Sequence, residues 1–186
     1  MRSLRLLRTH NIPYAIYSGG HVAYLLDEKR PVGDADALID AHNFPRAHKI
    51  LGGVAYNMRP LIWPDDMPHE SVSFLLRGDL EVKAGSDGEP GYFTYTDLVK
   101  KHSTMKGDNG YTINFVCPTE TILFKAAMWR SKDQEDIAML ARQRDNNGRQ
   151  TINIDGAYLE ARLEEVRLDS VALGRLAVVR KCFQEI

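Results

Sequence analysis

The sequence has few cysteines, no long apolar run and almost no net charge. Only Cys117 and Cys182 occur in 186 residues, too few for a disulfide scaffold. No apolar run approaches the roughly 20 residues of a membrane-spanning helix, and the first residues lack the apolar core of a signal peptide. Lys and Arg number 24 and Asp and Glu 25, which excludes a uniformly basic, nucleic-acid-binding surface. We therefore expect a soluble, cytoplasmic domain that does not act in a membrane.

The distribution of apolar residues predicts an α/β (α+β) fold. Apolar residues make up 44% of the chain and charged residues 26%, a globular balance. Short apolar segments such as YAIY, SVSFLL and DLEVKA are typical of strands, and the last two indicate a hairpin. From Pro118 onward the spacing is helical. We predict a short mixed β-sheet flanked by helices over residues 1–116, and a helical C-terminal region packed on it over residues 117–186.

Two glycines follow the first predicted strand, and a pair of aspartates begins the second. Ser18, Gly19 and Gly20 precede helix-like sequence, where bare backbone amides can approach a phosphate. Asp34 and Asp36 lie two residues apart at a strand start, so their carboxylates project from the same face. Such a pair repels itself unless a cation lies between the two groups, and oxygen ligands suit Mg²⁺. The combination indicates phosphoryl or nucleotidyl transfer.

Each half of this pattern also has a purely structural interpretation. Two glycines at a strand–helix junction are most often a tight turn. A lone Asp-x-Asp is commonly a solvated strand edge or a helix cap. Both parts occur here within 19 residues, with Arg30 between them. It is this joint pattern that favours a functional site.

The segment IYSGGHVAYLLDEKRPVGDADALI resembles the first motif of the DNA polymerase β-like nucleotidyltransferase superfamily. Within it, the sequence is most similar to the branch of AbiEii-like toxins and small antibiotic nucleotidyltransferases. A second segment, PTETILFKAAMWRSKDQEDIAML, resembles the lysine-bearing helix and following acidic stretch of that branch. The two blocks occur in the family's order and together span most of residues 4–142.

The resemblance implies roles for particular residues. It assigns metal binding to Asp34 and Asp36, with Mg²⁺ (or Mn²⁺) as the cofactor. It implies contact with the nucleotide or its phosphates for a second group: Ser18, Gly19, Gly20, Arg30, Lys125 and Asp136. Asp133 also fits the second motif, although it fits equally well as the N-cap of the next helix. A departure from the family pattern is Val32, which stands where a Ser or Thr usually precedes the first aspartate.

The third carboxylate, which in this superfamily helps hold the metal and accepts a proton, is open to alternatives. Along DLEVKA, Asp79, Glu81 and Lys83 share one face of the strand and the apolar residues the other. Glu81 is our choice as catalytic residue and metal ligand, because it lies mid-strand between apolar neighbours. Asp79 is the second choice. In a different register Lys83 would take this position, and the site would lack its base.

The expected function is Mg²⁺-dependent transfer of a nucleoside monophosphate from a nucleoside triphosphate such as ATP to an acceptor hydroxyl. The acceptor could be a small molecule, RNA, with tRNA as the toxin-like case, or a protein. An antitoxin and a second copy of the chain are the other candidate partners. The alternative function is a catalytically degenerate nucleotide-binding or partner-binding module of the same fold, which Lys83 opposite the aspartates would indicate.

Overall fold

The computed structural model describes residues 2–27, 35–58, 72–77, 80–84, 93–108, 111–166 and 168–183. Within these ranges seven strands form one mixed sheet in the spatial order β3-β4-β5-β2-β1-β7-β6. The pairs β1–β7 and β2–β5 are parallel, and the other neighbours are antiparallel. The strands are β1 Tyr14–Tyr17, β2 Ala35–Ile39, β3 Val54–Met58, β4 Val72–Arg77, β5 Leu80–Ala84, β6 Thr104–Asp108 and β7 Tyr111–Phe115.

Eight α-helices accompany the sheet in the described residues, half of them after its last strand. A short 3₁₀ helix, Ala41–Asn43, follows β2. None of these helices is long and apolar enough to cross a membrane. The α-helices are α1 Arg2–Thr9, α2 Ser18–Leu25, α3 Phe44–Leu51, α4 Asp97–His102, α5 Pro118–Met128, α6 Ser131–Ala141, α7 Gly156–Glu165 and α8 Ser170–Cys182.

This architecture confirms the predicted fold class, a mixed sheet flanked by helices with a helical C-terminal part. The predicted hairpin is present, because β4 and β5 pair antiparallel. Helix α5 begins at Pro118, where the missing N–H costs no hydrogen bond, and α3 is followed by its C-cap Gly52, whose φ is 65°. The last strand ends at Phe115, next to the predicted boundary. The division into 1–116 and 117–186 stays a prediction.

Apolar side chains form a cluster on each face of the sheet. One face carries Ala15, Tyr17 and Leu38 and is covered by helices that include α2 and α5. The opposite face carries Ile16 and Ile39 and is covered by α1 and α3. Alternate residues of β1 and β2 therefore belong to different clusters, as the period of two in a strand requires. We call the first side the α5 face.

Two local predictions about helix starts were wrong. Asp133 is not an N-cap: α6 begins at Ser131, its N-cap is Arg130, and Asp133 occupies the third helical position. Its carboxylate nevertheless accepts from the Arg130 backbone N–H at 3.1 Å, which completes a capping box. The helix predicted to follow Ser18, Gly19 and Gly20 begins at Ser18 itself, so both glycines belong to its first turn.

Candidate active site

Asp36 and Glu81 are direct neighbours on adjacent strands. The parallel pairing of β2 with β5 places Asp36 opposite Glu81, and Leu38 opposite Lys83. Paired residues in a sheet have their Cα atoms about 5 Å apart and their side chains on one face. Asp36 is also opposite Tyr17, which belongs to the α5 face. The two carboxylates therefore lie side by side on that face.

Four other residues singled out from the sequence fall outside the described residues. These are Arg30, Val32 and Asp34 of the first motif, and Asp79 before β5. Within the part of the chain that the structure describes, no group of three His, Cys, Asp or Glu side chains is arranged to hold a metal ion. Two described carboxylates still fit a Mg²⁺ site, because this ion commonly takes one or two carboxylates together with substrate phosphates. Both are only partly buried, so an ion from solvent can reach them.

The first turn of α2 lies at the same end of the strands as these carboxylates. It follows directly on Tyr17, the residue paired with Asp36. Ser18 has a positive φ of 55°, and the chain turns sharply there into the helix. A Cβ on Gly20 would lie 3.1 Å from Cγ2 of Ile16, which is tighter than most Cβ contacts, so a larger residue there would require the Ile16 side chain to shift. The first-turn amides of Ser18, Gly19 and Gly20 have no partner within the helix, and the helix dipole favours an anion beside them.

His21 packs inside the protein. Its ring is 2% exposed, stacks on Phe115 with centroids 5.2 Å apart, and has Nδ1 2.8 Å from Oγ1 of Thr121. Burial lowers the pKa of His21 to about 3, so the ring is neutral at physiological pH. A neutral, buried ring ties α2 to β7 and α5 and holds the glycine turn in place.

Lys125 and Asp136 come together in a buried ion-pair cluster with Asp133. The Lys125 ammonium, 1% exposed, lies 2.6 Å from Oδ2 of Asp136 and 3.0 Å from Oδ1 of Asp133. Arg130 adds a second cation, with Nε 2.7 Å from Asp133 Oδ2. The hydrogen bonds from Arg130 and the charge of Lys125 outweigh burial and lower the pKa of Asp133. The cluster joins α5 to α6, and the nucleotide-binding role of Lys125 and Asp136 stays a prediction.

Lys83 is the basic residue nearest in sequence to the acidic pair, and it points to the same face. Its side chain is 1% exposed, and Nζ lies 5.0 Å from the ring centroid of Tyr17 and 5.4 Å from that of Phe124. Burial lowers the pKa of Lys83 to about 7, while the negative charges of Glu120, Asp36 and Glu81 act against this shift. In the register found here, Glu81 and not Lys83 is opposite Asp36.

A buried network around Glu120 was not predicted from the sequence. The Glu120 carboxylate accepts from Arg162 Nη2 at 2.8 Å and from Tyr158 Oη at 2.9 Å. Arg162 is fully buried and also donates to Glu165 and to the Thr94 carbonyl. Glu120 raises the pKa of Arg162 although burial would lower it. The sequence indicates the burial of Arg162 only through its position, since Arg162 lies four residues from both Tyr158 and Val166, on the apolar stripe of α7.

No family model matches the sequence, and no curated protein is similar to it. Among solved structures, it is similar to a Thermotoga maritima protein described as a nucleotidyltransferase, at 13% identity over 72% of this chain and 84% of that one, with a TM-score of 0.48. It is also similar to ANT(2")-Ia in complex with adenylyl-2"-tobramycin, at 12% identity, 98% and 92% coverage, and a TM-score of 0.47. The chain is further similar to a nucleotidyltransferase-like antigenic protein of Paracoccidioides brasiliensis, at 18% identity over 96% of this chain and 88% of that one, with a TM-score of 0.47. Because these TM-scores are below 0.5, the function has to be argued from the side chains of this chain.

Proposed function

We propose that this protein is a nucleotidyltransferase that moves a nucleoside monophosphate from a nucleoside triphosphate to an acceptor hydroxyl. The observation that carries the proposal is the pairing of Asp36 with Glu81 beside the first turn of α2. Two adjacent carboxylates next to an anion-binding helix start can hold a divalent cation and a polyphosphate together. The resemblance of the first sequence motif to the DNA polymerase β-like superfamily points to the same chemistry.

The residues of the site would have separate roles in metal binding, phosphate binding and proton transfer. Asp36 and Glu81, with Asp34, would hold Mg²⁺, and the first-turn amides of Ser18–Gly20 would hold the β and γ phosphates. Bound there, Mg²⁺ supplies a lower pKa for the acceptor hydroxyl and offsets charge that develops on the α-phosphate. The acceptor oxygen forms a bond to the α-phosphorus, the bond from that phosphorus to the bridging oxygen breaks, and pyrophosphate leaves. The hydroxyl proton passes to the Glu81 carboxylate.

The register also bears on the degenerate-module alternative, which required Lys83 opposite Asp36. Since Glu81 is in that place, the carboxylate needed to accept the proton is available, and turnover is the function we favour. For the acceptor we favour a small hydroxyl compound over tRNA, because the formal net charge of -1 offers no overall attraction to a polyanion. Membership of the toxin-like branch, and with it an antitoxin partner, stays a prediction.

A label-transfer assay tests this function. The protein is incubated with Mg²⁺ and each of the four ribonucleoside triphosphates, labelled either on the α or on the γ phosphate, with small hydroxyl compounds, tRNA or no acceptor added. Nucleotidyl transfer moves the α label to the acceptor and releases the γ label as pyrophosphate. Transfer of the γ label would instead show phosphoryl transfer. Transfer of neither label with any nucleotide or acceptor would contradict the proposal.

A further inference from the structure

Two neighbouring helices on one side of the sheet carry positive charge and no negative charge. Helices α1 and α3 contain arginine and lysine side chains, and neither contains Asp or Glu. The sequence has no acidic residue before Asp27 and none between Asp40 and Asp65. The cations of the two helices are all exposed, and we call the surface that they form the basic face: Arg2, Arg5, Arg8, Arg46 and Lys49.

The fold joins these charges into one surface. On each helix the cations are three residues apart and so lie near one another on the helix surface, while Leu7 of α1 and Ala47 and Leu51 of α3 pack towards the sheet. The two helices also contact each other, because Arg46 Nη2 donates to the carbonyl oxygen of His10 at 2.6 Å. Packed helices have axes about 8–10 Å apart. Five positive charges therefore occupy an area about two helices wide.

The composition of the basic face favours a partner made of phosphates over a protein or a lipid surface. The large apolar side chains that are exposed in the described residues, such as Met105 and Val178, lie on other elements, and none is on α1 or α3. Protein interfaces have an apolar core, and helices that enter a membrane surface need exposed apolar residues. Binding to a phosphate backbone depends mainly on positive charge. Four of the five cations are arginines, whose planar guanidinium matches the geometry of a phosphate.

We propose that the basic face binds the phosphate backbone of a double-helical RNA. Neither helix has an exposed aromatic side chain on which an unpaired base could stack. Both helices lie against the sheet, whereas a helix that reads DNA enters its major groove. An RNA duplex is recognised mostly through its shape and backbone, which a broad basic surface can contact.

The position of the basic face separates this RNA from the proposed reaction. Helices α1 and α3 cover the side of the sheet opposite the α5 face, from which Asp36 and Glu81 project. The RNA is therefore a partner and not the acceptor, and the inference does not depend on the proposed function. The formal net charge of -1 does not reveal this surface, because it is a sum over the whole chain.

Fluorescence anisotropy with a labelled RNA duplex of about 20 base pairs tests the proposal, since this length exceeds the footprint of a small duplex-binding domain. Each contact between a cation and a phosphate makes the binding constant fall more steeply with salt, and we expect a log–log slope of about -3 to -5. The combined changes Arg2→Gln, Arg5→Gln and Lys49→Gln should weaken binding by about 30-fold or more at low salt and reduce the magnitude of the slope by about 2–3. Arg46, which bonds to the backbone, is left in place.

The matched control removes three exposed lysines from α4 and β6, through Lys100→Gln, Lys101→Gln and Lys106→Gln. This variant has the same net charge as the first and should keep the wild-type slope. Equal weakening in both triple variants, or no binding of the duplex by the wild type at low salt, would overturn the proposal. Tighter binding of single-stranded RNA, of a DNA duplex of the same sequence, of polyglutamate or of phosphatidylserine vesicles would also overturn it.

A footprint on the unaltered protein gives a second test that does not depend on how the variants fold. Lysines are acetylated with and without the RNA duplex, and the modified positions are identified by mass spectrometry. The duplex should protect Lys49 and leave the exposed Lys100 and Lys101 as reactive as before. Protection of Lys100 and Lys101 without protection of Lys49 would mean that RNA binds elsewhere, and would overturn the proposal. Neither test uses nucleotide transfer, so each can fail while the proposed function stands.

Discussion

His21 illustrates how one buried side chain makes the stability of this protein depend on pH. Its pKa is lowered from 6.5 to about 3, because the ring is shielded from water by Phe115 and its neighbours. Between these two values the unfolded chain binds a proton that the folded chain does not. The free energy of unfolding therefore decreases as the pH falls below 6.5, by at most about 1.4 kcal/mol for each pH unit from this group.

We expect His21→Gln to flatten this dependence. Urea unfolding of the wild type and the variant between about pH 6.5 and 5 gives the two slopes, in a range where ordinary carboxylates are still ionised. The wild type should lose stability more steeply. The exposed His10→Gln variant serves as the control and should keep the wild-type slope. Equal slopes for the wild type and His21→Gln would show that the buried ring does not resist protonation.

At the residue scale, the sequence predicts which face of a strand a side chain occupies better than it predicts which residue lies opposite it. The alternation in DLEVKA placed Glu81 and Lys83 on one face, and the structure has both on the α5 face. Which of them is opposite Asp36 depends on the register between β2 and β5, two strands more than 40 residues apart in the chain. A long-range register is set by tertiary packing, and no local pattern contains it.

The start of α8 provides a test at the level of a single element. Asp169 is the N-cap, and one of its carboxylate oxygens accepts from the backbone N–H of Ala172 at 2.6 Å. Asp169→Ala should lower the free energy of unfolding by about 1 kcal/mol, since a first-turn amide loses its partner. Asp169→Asn keeps an acceptor and should cost clearly less. Urea denaturation of the three proteins measures both differences, and equal stability of the two variants would contradict the cap.

Helix boundaries could be predicted where a residue type has only one favourable position. Pro118 and Gly52 are examples, and so is Thr96, the N-cap of α4, whose hydroxyl accepts from the Val99 N–H. The start of α2 could not be predicted this way. Two adjacent glycines usually indicate a turn, yet here they occupy the first helical turn, because the positive φ of Ser18 lets the chain enter the helix directly from β1.

At the scale of the whole molecule, the Glu120–Arg162 pair joins α5 to α7, and Arg162 connects these helices to the rest of the protein. Both side chains are about 1% exposed, and Arg162 also reaches the Thr94 carbonyl, which precedes α4. Arg162→Met should lower the free energy of unfolding by about 3–5 kcal/mol, because it leaves the Glu120 carboxylate buried without its main cation. Chemical denaturation measures this loss.

A second change at Glu120 separates the buried charge from simple packing. Glu120→Gln in the Arg162→Met background removes the uncompensated charge and should recover part of the lost stability, whereas Glu120→Gln alone should destabilise the wild type. If Glu120→Gln instead lowers the free energy of unfolding in both backgrounds, packing around Arg162, and not the ion pair, stabilises the contact between α5 and α7.

The general architecture could be predicted from the sequence because strand-like segments occur only before Pro118 and the spacing after it is helical. The buried network could not, since Glu120 precedes Tyr158 and Arg162 by about 40 residues in the chain and each has an ordinary helical role when considered alone. Their association follows from the packing of α5 against α7, which brings one acceptor to two donors.

The most direct test of the proposed function is the rate of pyrophosphate release by Glu81→Gln and Asp36→Asn in the presence of Mg²⁺ and the preferred nucleotide. Both variants should be slower than the wild type by about 100-fold or more, because each removes a carboxylate that binds the cation or accepts the proton. Glu160→Gln, an exposed position on α7, is the matched control and should retain the wild-type rate. A folded Glu81→Gln protein that releases pyrophosphate at the wild-type rate would contradict the assignment of this site.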